Sequence, residues 1–152
     1  MPEAWRILKA KHASTAFTGE CAAKVGGRWN SRGVAVVYAS GTKALAALET
    51  LVHLNPPVLF KYVAIRIEFE ESLVFRVSLA DLPLDWRVEP APNSTKQFGD
   101  AWVRARGSPI LAVPSVIISG EPNFMLNPAH PDFRKIVMGT PEEFSFDPRL
   151  VS

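Results

Sequence analysis

The sequence predicts an α+β fold. Three observations carry that reading: the strand-like segments are short and numerous, only two segments have convincing helical periodicity, and the two kinds do not alternate as in a doubly wound sheet. Taken in order, residues 4–9 read as a short strand. Residues 12–31, rich in Gly, Ser, Thr and Ala, read as loop with room for one helical turn. Residues 34–40, VAVVYAS, are β-branched and aromatic and follow a glycine, which predicts a strand. Residues 42–54 form the best helix, with Ser40 or Thr42 as its cap and Asn55-Pro56-Pro57 as its stop. Residues 60–69 alternate: Val63, Ile65, Ile67 and Phe69 share one face, while Arg66 and Glu68 point the other way. Residues 73–77 make a further short strand.

The second half is less regular. Residues 82–94 carry Pro83, Pro90 and Pro92 and read as an ordered surface loop. Residues 95–106 read as a helix ended by Gly107. Residues 110–118 are apolar but interrupted by Pro114, which cannot donate to a ladder, so an edge strand, a bulge or two short strands are expected. Residues 123–132, flanked and broken by prolines, read as loop, and residues 134–138 and 144–146 as closing strands.

Composition bounds the function. The chain has 152 residues, 17 Lys plus Arg against 15 Asp plus Glu, 47% hydrophobic and 21% charged residues. These values suit one folded domain, residues 1–152, large enough to bury a core without a disulfide or metal staple. A net charge of +2 is too small to argue for nucleic acid. No apolar run approaches a membrane span, and the N-terminal stretch lacks the apolar region of a secretory signal, so a cytoplasmic location is the expectation. Cys21 is the single cysteine, and His12, His53 and His130 have no ligand spacing, so no metal site is expected.

Several residues stand out as chemistry. The segment Gly26-Gly27-Arg28-Trp29-Asn30-Ser31-Arg32-Gly33 combines glycines that permit close backbone approach with the planar fork of Arg28, a stacking face on Trp29 and an amide on Asn30. A surface turn with a solvated arginine is the plainer alternative. Ala44, Leu45, Leu48, Leu51 and Val52 form the apolar stripe of the first helix, and Glu49, its only carboxylate, falls at the edge of that stripe. A carboxylate there lines a cleft or escapes to solvent. Tyr38 sits near the end of the strand that leads into this helix, where it faces a crevice or fills the core. Ser115 is a lone hydroxyl among Val113, Val116 and Ile117, re-aimed by Pro114 or simply buried, and it lacks the elbow motif of the α/β-hydrolases.

Five segments in order, GGRWNSRG, VVYAS, LAALETLVH, VPSVI and EPNFMLNPAHPDF, resemble the RES domain. The resemblance runs from about Arg6 to about Asp132 and is least specific over residues 70–108. It implies an ADP-ribosyltransferase-like core, a split and twisted sheet with helices around a cleft. It also implies a bacterial toxin that consumes NAD+ as a substrate, holds no resident cofactor, and is neutralised by an antitoxin with an Xre-type helix-turn-helix. DNA contact then belongs to the antitoxin, and no membrane is involved. By the same resemblance Arg28, Tyr38, Glu49 and Ser115 are the catalytic residues, Arg28, Tyr38 and Asn123 hold NAD+, and Arg6 and Asn30 support the site from behind. Transfer of ADP-ribose to a protein with the same pocket is the alternative, and a non-catalytic binding domain is the second. Ala47 and Leu48 stand where many protein-modifying transferases carry an acceptor-handling Glu or Gln, which favours a small acceptor.

Overall fold

The computed structural model describes residues 2–53 and 60–150. The predicted helix stop at Asn55-Pro56-Pro57 lies outside the described residues. The strands are β1 (Glu3–Lys9), β2 (Val37–Ser40), β3 (Tyr62–Glu68), β4 (Val74–Arg76), β5 (Ile110–Pro114), β6 (Pro122–Leu126), β7 (Val137–Met138) and β8 (Glu142–Phe144). The helices are α1 (Glu20–Val25), α2 (Lys43–Leu51) and α3 (Asn93–Ala105), with short 3-10 turns between elements. The expected α+β class is what the chain forms. Among the described residues the strands join in the order β4-β5-β6-β2-β1-β3-β7, with β8 also on β3. All pairings are antiparallel except β4 with β5.

The sheet is split. β1 and β3 pair along seven residues, from Glu3 opposite Glu68 to Lys9 opposite Tyr62. β1 and β2 meet only through Trp5 opposite Ser40. Two half-sheets therefore diverge from one shared point, and α2 packs across β1 and β2 beside it.

Period-two burial assigns the faces. Ile110, Ala112, Phe124, Leu126, Val37 and Ala39 join Ile67 and Phe69 in one core cluster. Their neighbours Leu111, Val113, Met125 and Val36 form a second cluster with Trp29 and Leu82, covered by Trp86, Phe98 and Trp102. Tyr38 belongs to this second face. β3 follows the expected alternation at Ile65, Ile67 and Phe69, but Tyr62 and Ala64 are buried as well, under Ala46 and Phe146.

Four expectations need correction. Residues 122–126 form β6, at the centre of the sheet, where a loop was expected; Phe124, Met125 and Leu126 fill it between β2 and β5. The prolines that suggested loop stand at its margins, and Pro122 opens the strand. β5 is an interior strand rather than an edge or a bulge, because Pro114 is its last residue and interrupts nothing. The apolar stripe of α2 is rotated from its expected position: Leu45 and Ala46 are its buried residues, whereas Ala44 is exposed and Val52, past the helix end, is 58% exposed. Thr42 is the cap, accepting from the Leu45 N–H at 3.0 Å, and Ser40 is engaged elsewhere. The second helix starts earlier than expected and ends at Ala105, with Arg106 itself in the left-handed region at φ 52°.

Gly99 allows α3 to lie directly on the glycine-rich loop. A Cβ at this position would stand 1.7 Å from the Trp29 carbonyl oxygen. One residue further, buried Asp100 accepts from the Ser31 N–H at 2.9 Å and the Ser31 hydroxyl at 2.6 Å. These contacts fasten the loop against the helix.

Candidate active site

A cavity of about 920 Å³ opens where the sheet splits. Trp5, Arg6 and Ile7 of β1, Tyr38, Ala39 and Ser40 of β2, and Ala46, Glu49 and Thr50 of α2 line one side. Residues 25–29, Lys96, Glu89 and the segment after β5 close the other.

Glu49 is fixed in this cavity through one carboxylate oxygen. Its Oε2 accepts from the Ser115 hydroxyl at 2.9 Å and from the Asn123 amide. Ser115 Oγ itself accepts from the backbone N–H groups of Ile117 and Ile118, both at 3.1 Å. With its acceptor side taken, the serine hydrogen has Glu49 as its target. Asn123 is oriented in the same way: its Oδ1 accepts from the Ser40 hydroxyl at 2.7 Å, which turns the amide N–H toward Glu49. The strand register explains the meeting, since Asn123 of β6 lies opposite Ser40 of β2 and Val113 of β5. Both bonds fall on Oε2, and Oε1 makes none among the described residues.

The glycine-rich loop forms the opposite wall. The Gly27 N–H donates to the Asn30 carbonyl at 3.0 Å, closing a tight turn around Arg28 and Trp29. A Cβ on Gly27 would lie 2.8 Å from the Tyr38 hydroxyl, so only glycine fits there. Tyr38 donates to Asn30 Oδ1 at 2.6 Å and accepts from the Trp29 N–H at 3.1 Å. Burial pushes its phenol pKa far above the ordinary range, so the hydroxyl stays neutral. Replacing Tyr38 by Phe leaves both buried partners unsatisfied. The variant is expected to lose about 1–3 kcal/mol of stability in urea unfolding, and an unchanged midpoint would show that the hydroxyl holds nothing.

Trp29 differs from the expected stacking face, whereas Asn30 stands behind the cavity wall, bonded to Tyr38. The Trp29 ring is 3% exposed and packs edge-on against Phe98 at 5.9 Å, so it offers no stacking face. The Asn30 amide is fully buried and donates to the carbonyls of Ala22 at 2.9 Å and Val34 at 3.1 Å. Both residues shape the loop from within.

Arg28 reaches the cavity wall with its fork engaged. Nη1 donates to the Trp86 and Val88 carbonyls at 3.0 and 2.7 Å, and Nη2 pairs with Glu89. Nothing in the sequence around residues 86–89 pointed to this contact. Lys96 donates to the Gly27 carbonyl at 2.6 Å. Arg6 is only partly satisfied: Nη1 donates to the Tyr38 carbonyl at 2.9 Å, but buried Nε finds no partner among the described residues. Desolvation pulls its pKa below the usual guanidinium range, with Cys21 opposing. Arg6 was named from the sequence only as a supporting residue, and the structure puts its side chain in the cavity lining.

Four of the five candidates line the cavity: Glu49 and Asn123 at one side, Tyr38 near the split, with Arg28 across from them; the fifth, Ser115, is buried and reaches it only through its bond to Glu49. Among the described residues no group of His, Cys, Asp or Glu side chains is arranged to hold a metal ion.

The comparison with known families decides what carries this geometry, since the model of the RES domain matches residues 3–147. The chain belongs to the RES domain family. A RES relative named "Toxin Res", from Yersinia enterocolitica serotype O:8 / biotype 1B, is 37% identical over 96% of this chain and 97% of its own length. The "Prs ADP-ribosylating toxin" of Sphingobium sp. strain YBL2 is 38% identical over 97% of this chain and 95% of its own. Among solved structures, the M. tuberculosis MbcT–MbcA toxin–antitoxin complex contains a chain that superposes with a TM-score of 0.77 at 14% identity, covering 99% of this RES chain and 86% of that one. The twisted α+β core is therefore shared well beyond sequence similarity.

Proposed function

We propose that this RES domain is a toxin that cleaves the nicotinamide–ribose bond of NAD+, arrests growth by depleting it, and is held inactive by a cognate antitoxin. The observation that carries the reading is Glu49, fixed by Ser115 and Asn123, in the wall of a cavity that the cations Arg6, Arg28 and Lys96 also line. Nicotinamide leaves NAD+ as a neutral molecule from a cationic ring, so no general acid is needed. Positive charge then gathers on the ribose as in glycoside hydrolysis. A fixed carboxylate beside that ribose stabilises the charge without reorganising, an effect worth roughly 10²–10³ per group. Glu49, with Oε2 held by two donors and Oε1 unoccupied, fits that role. Arg6 and Arg28 suit the diphosphate, and Tyr38 closes the wall beside the ribose.

Water or another small molecule is the acceptor we favour, on the ground that Ala47 and Leu48 precede Glu49. Transfer to a protein is the second reading, supported by the name of the Sphingobium relative. The antitoxin we infer is an Xre-type helix-turn-helix protein, which alone touches DNA. Val25, Val52 and Ile117 are exposed at the cavity rim and suit a covering partner chain. No helix among the described residues is long and apolar enough to cross a membrane, in line with action in the cytoplasm, where NAD+ is found.

Purified protein incubated with NAD+ alone is expected to release nicotinamide, followed by chromatography. Release or label transfer only after a cell extract is added would select the protein-modifying reading. No consumption under either condition would remove both.

A further inference from the structure

The donors of Arg28 are divided unequally. Nη1 donates to two carbonyls, Trp86 and Val88, which fix the plane of the guanidinium. Those carbonyls belong to a well-anchored strap: Leu82 is buried, Trp86 packs on the cluster around Trp29, and Asp85 accepts from the Ser94 hydroxyl at 2.5 Å. Arg28 is thus oriented without help from Glu89. Glu89 is of another kind. Its side chain is 72% exposed where that of Arg28 is 14% exposed, and it stands on Nη2 at the wall of the same cavity.

We propose that Glu89 is a carboxylate gate on Arg28: in the unliganded protein it holds the arm of the guanidinium that a phosphate oxygen of the dinucleotide takes on binding, and so sets affinity rather than chemistry. The inference rests on the NAD+ reading above. Carboxylate and phosphate oxygens compete for the same planar fork, and two anions cannot share one arm without repulsion. An exposed ion pair shifts an equilibrium by at most a factor of about five, so a diphosphate can displace it.

The test is steady-state NAD+ cleavage by the full chain and its E89Q and E89A variants. KM for NAD+ is expected to fall about threefold to fivefold, with kcat moving less than about twofold. ADP, which carries the diphosphate without nicotinamide, is expected to gain the same factor as a competitor, and uncharged nicotinamide none. Urea midpoints that match the parent exclude a loosened fold as the cause. Unchanged or raised KM in both variants, with cleavage intact, overturns the gate, and so does an equal gain for nicotinamide. A parent chain that neither binds nor cleaves NAD+ removes the functional reading and the gate together.

Discussion

Glu49→Gln is expected to lower nicotinamide release from NAD+ by about 10²–10³ in kcat while the fold is retained. The substitution keeps shape and removes charge. Glutamine still presents an oxygen to the Ser115 hydroxyl and the Asn123 amide, so the local hydrogen bonds survive. It gives no net negative charge to set against the positive ribose, and the lost stabilisation exists only in the transition state. The loss should therefore appear in kcat, with KM nearly unchanged. Chromatographic rates beside a circular dichroism spectrum check both halves. A folded variant within tenfold of the parent would remove Glu49 from the chemistry.

Gly99→Ala is expected to cost about 2–3 kcal/mol of stability, although alanine is the better helix former by about 1 kcal/mol. The new methyl would sit 1.7 Å from the Trp29 carbonyl oxygen and 2.7 Å from its carbon. Backbone atoms on both sides leave no flexible side chain to move, so α3 must lift from the glycine-rich loop. That lift strains the Asp100–Ser31 bonds, shifts the wall that carries Arg28, and loosens the Trp29 N–H bond to Tyr38. Thermal unfolding should drop by roughly 4–12 °C, and NAD+ cleavage should weaken with it. A midpoint equal to or above the parent would show that the helix has room to spare.

Alternation placed the Ile65–Ile67 face of β3, and the β-branched, aromatic run after a glycine placed β2, which begins at Val37 rather than at residue 34. β6 was misread because Pro122 and Pro128 bracket a run too short to establish a period, while its burial depends on neighbours 80 and more residues away in the chain, such as Ser40 opposite Asn123. Helical geometry put Glu49 beside a buried stripe, but its partners Ser115 and Asn123 lie 66 and 74 residues distant, and only the ordered motifs linked them. The hold of residues 86–89 on Arg28 was not legible at all. Two of its three contacts are backbone carbonyls, which carry no side-chain signature, and the third, Glu89, is one exposed carboxylate among many.

The place of β6 has a consequence for synthesis. A growing polypeptide acquires β1, β2, α2 and α3 before the strand that belongs between β2 and β5 exists. Until residue 126 has emerged, β2 and β5 lack the strand that joins them, Asn123 is missing, and Glu49 has no complete set of donors. Pairings so remote in sequence also form slowly. On the proposed NAD+ reading, the growing chain is therefore expected to stay inactive until this strand has emerged.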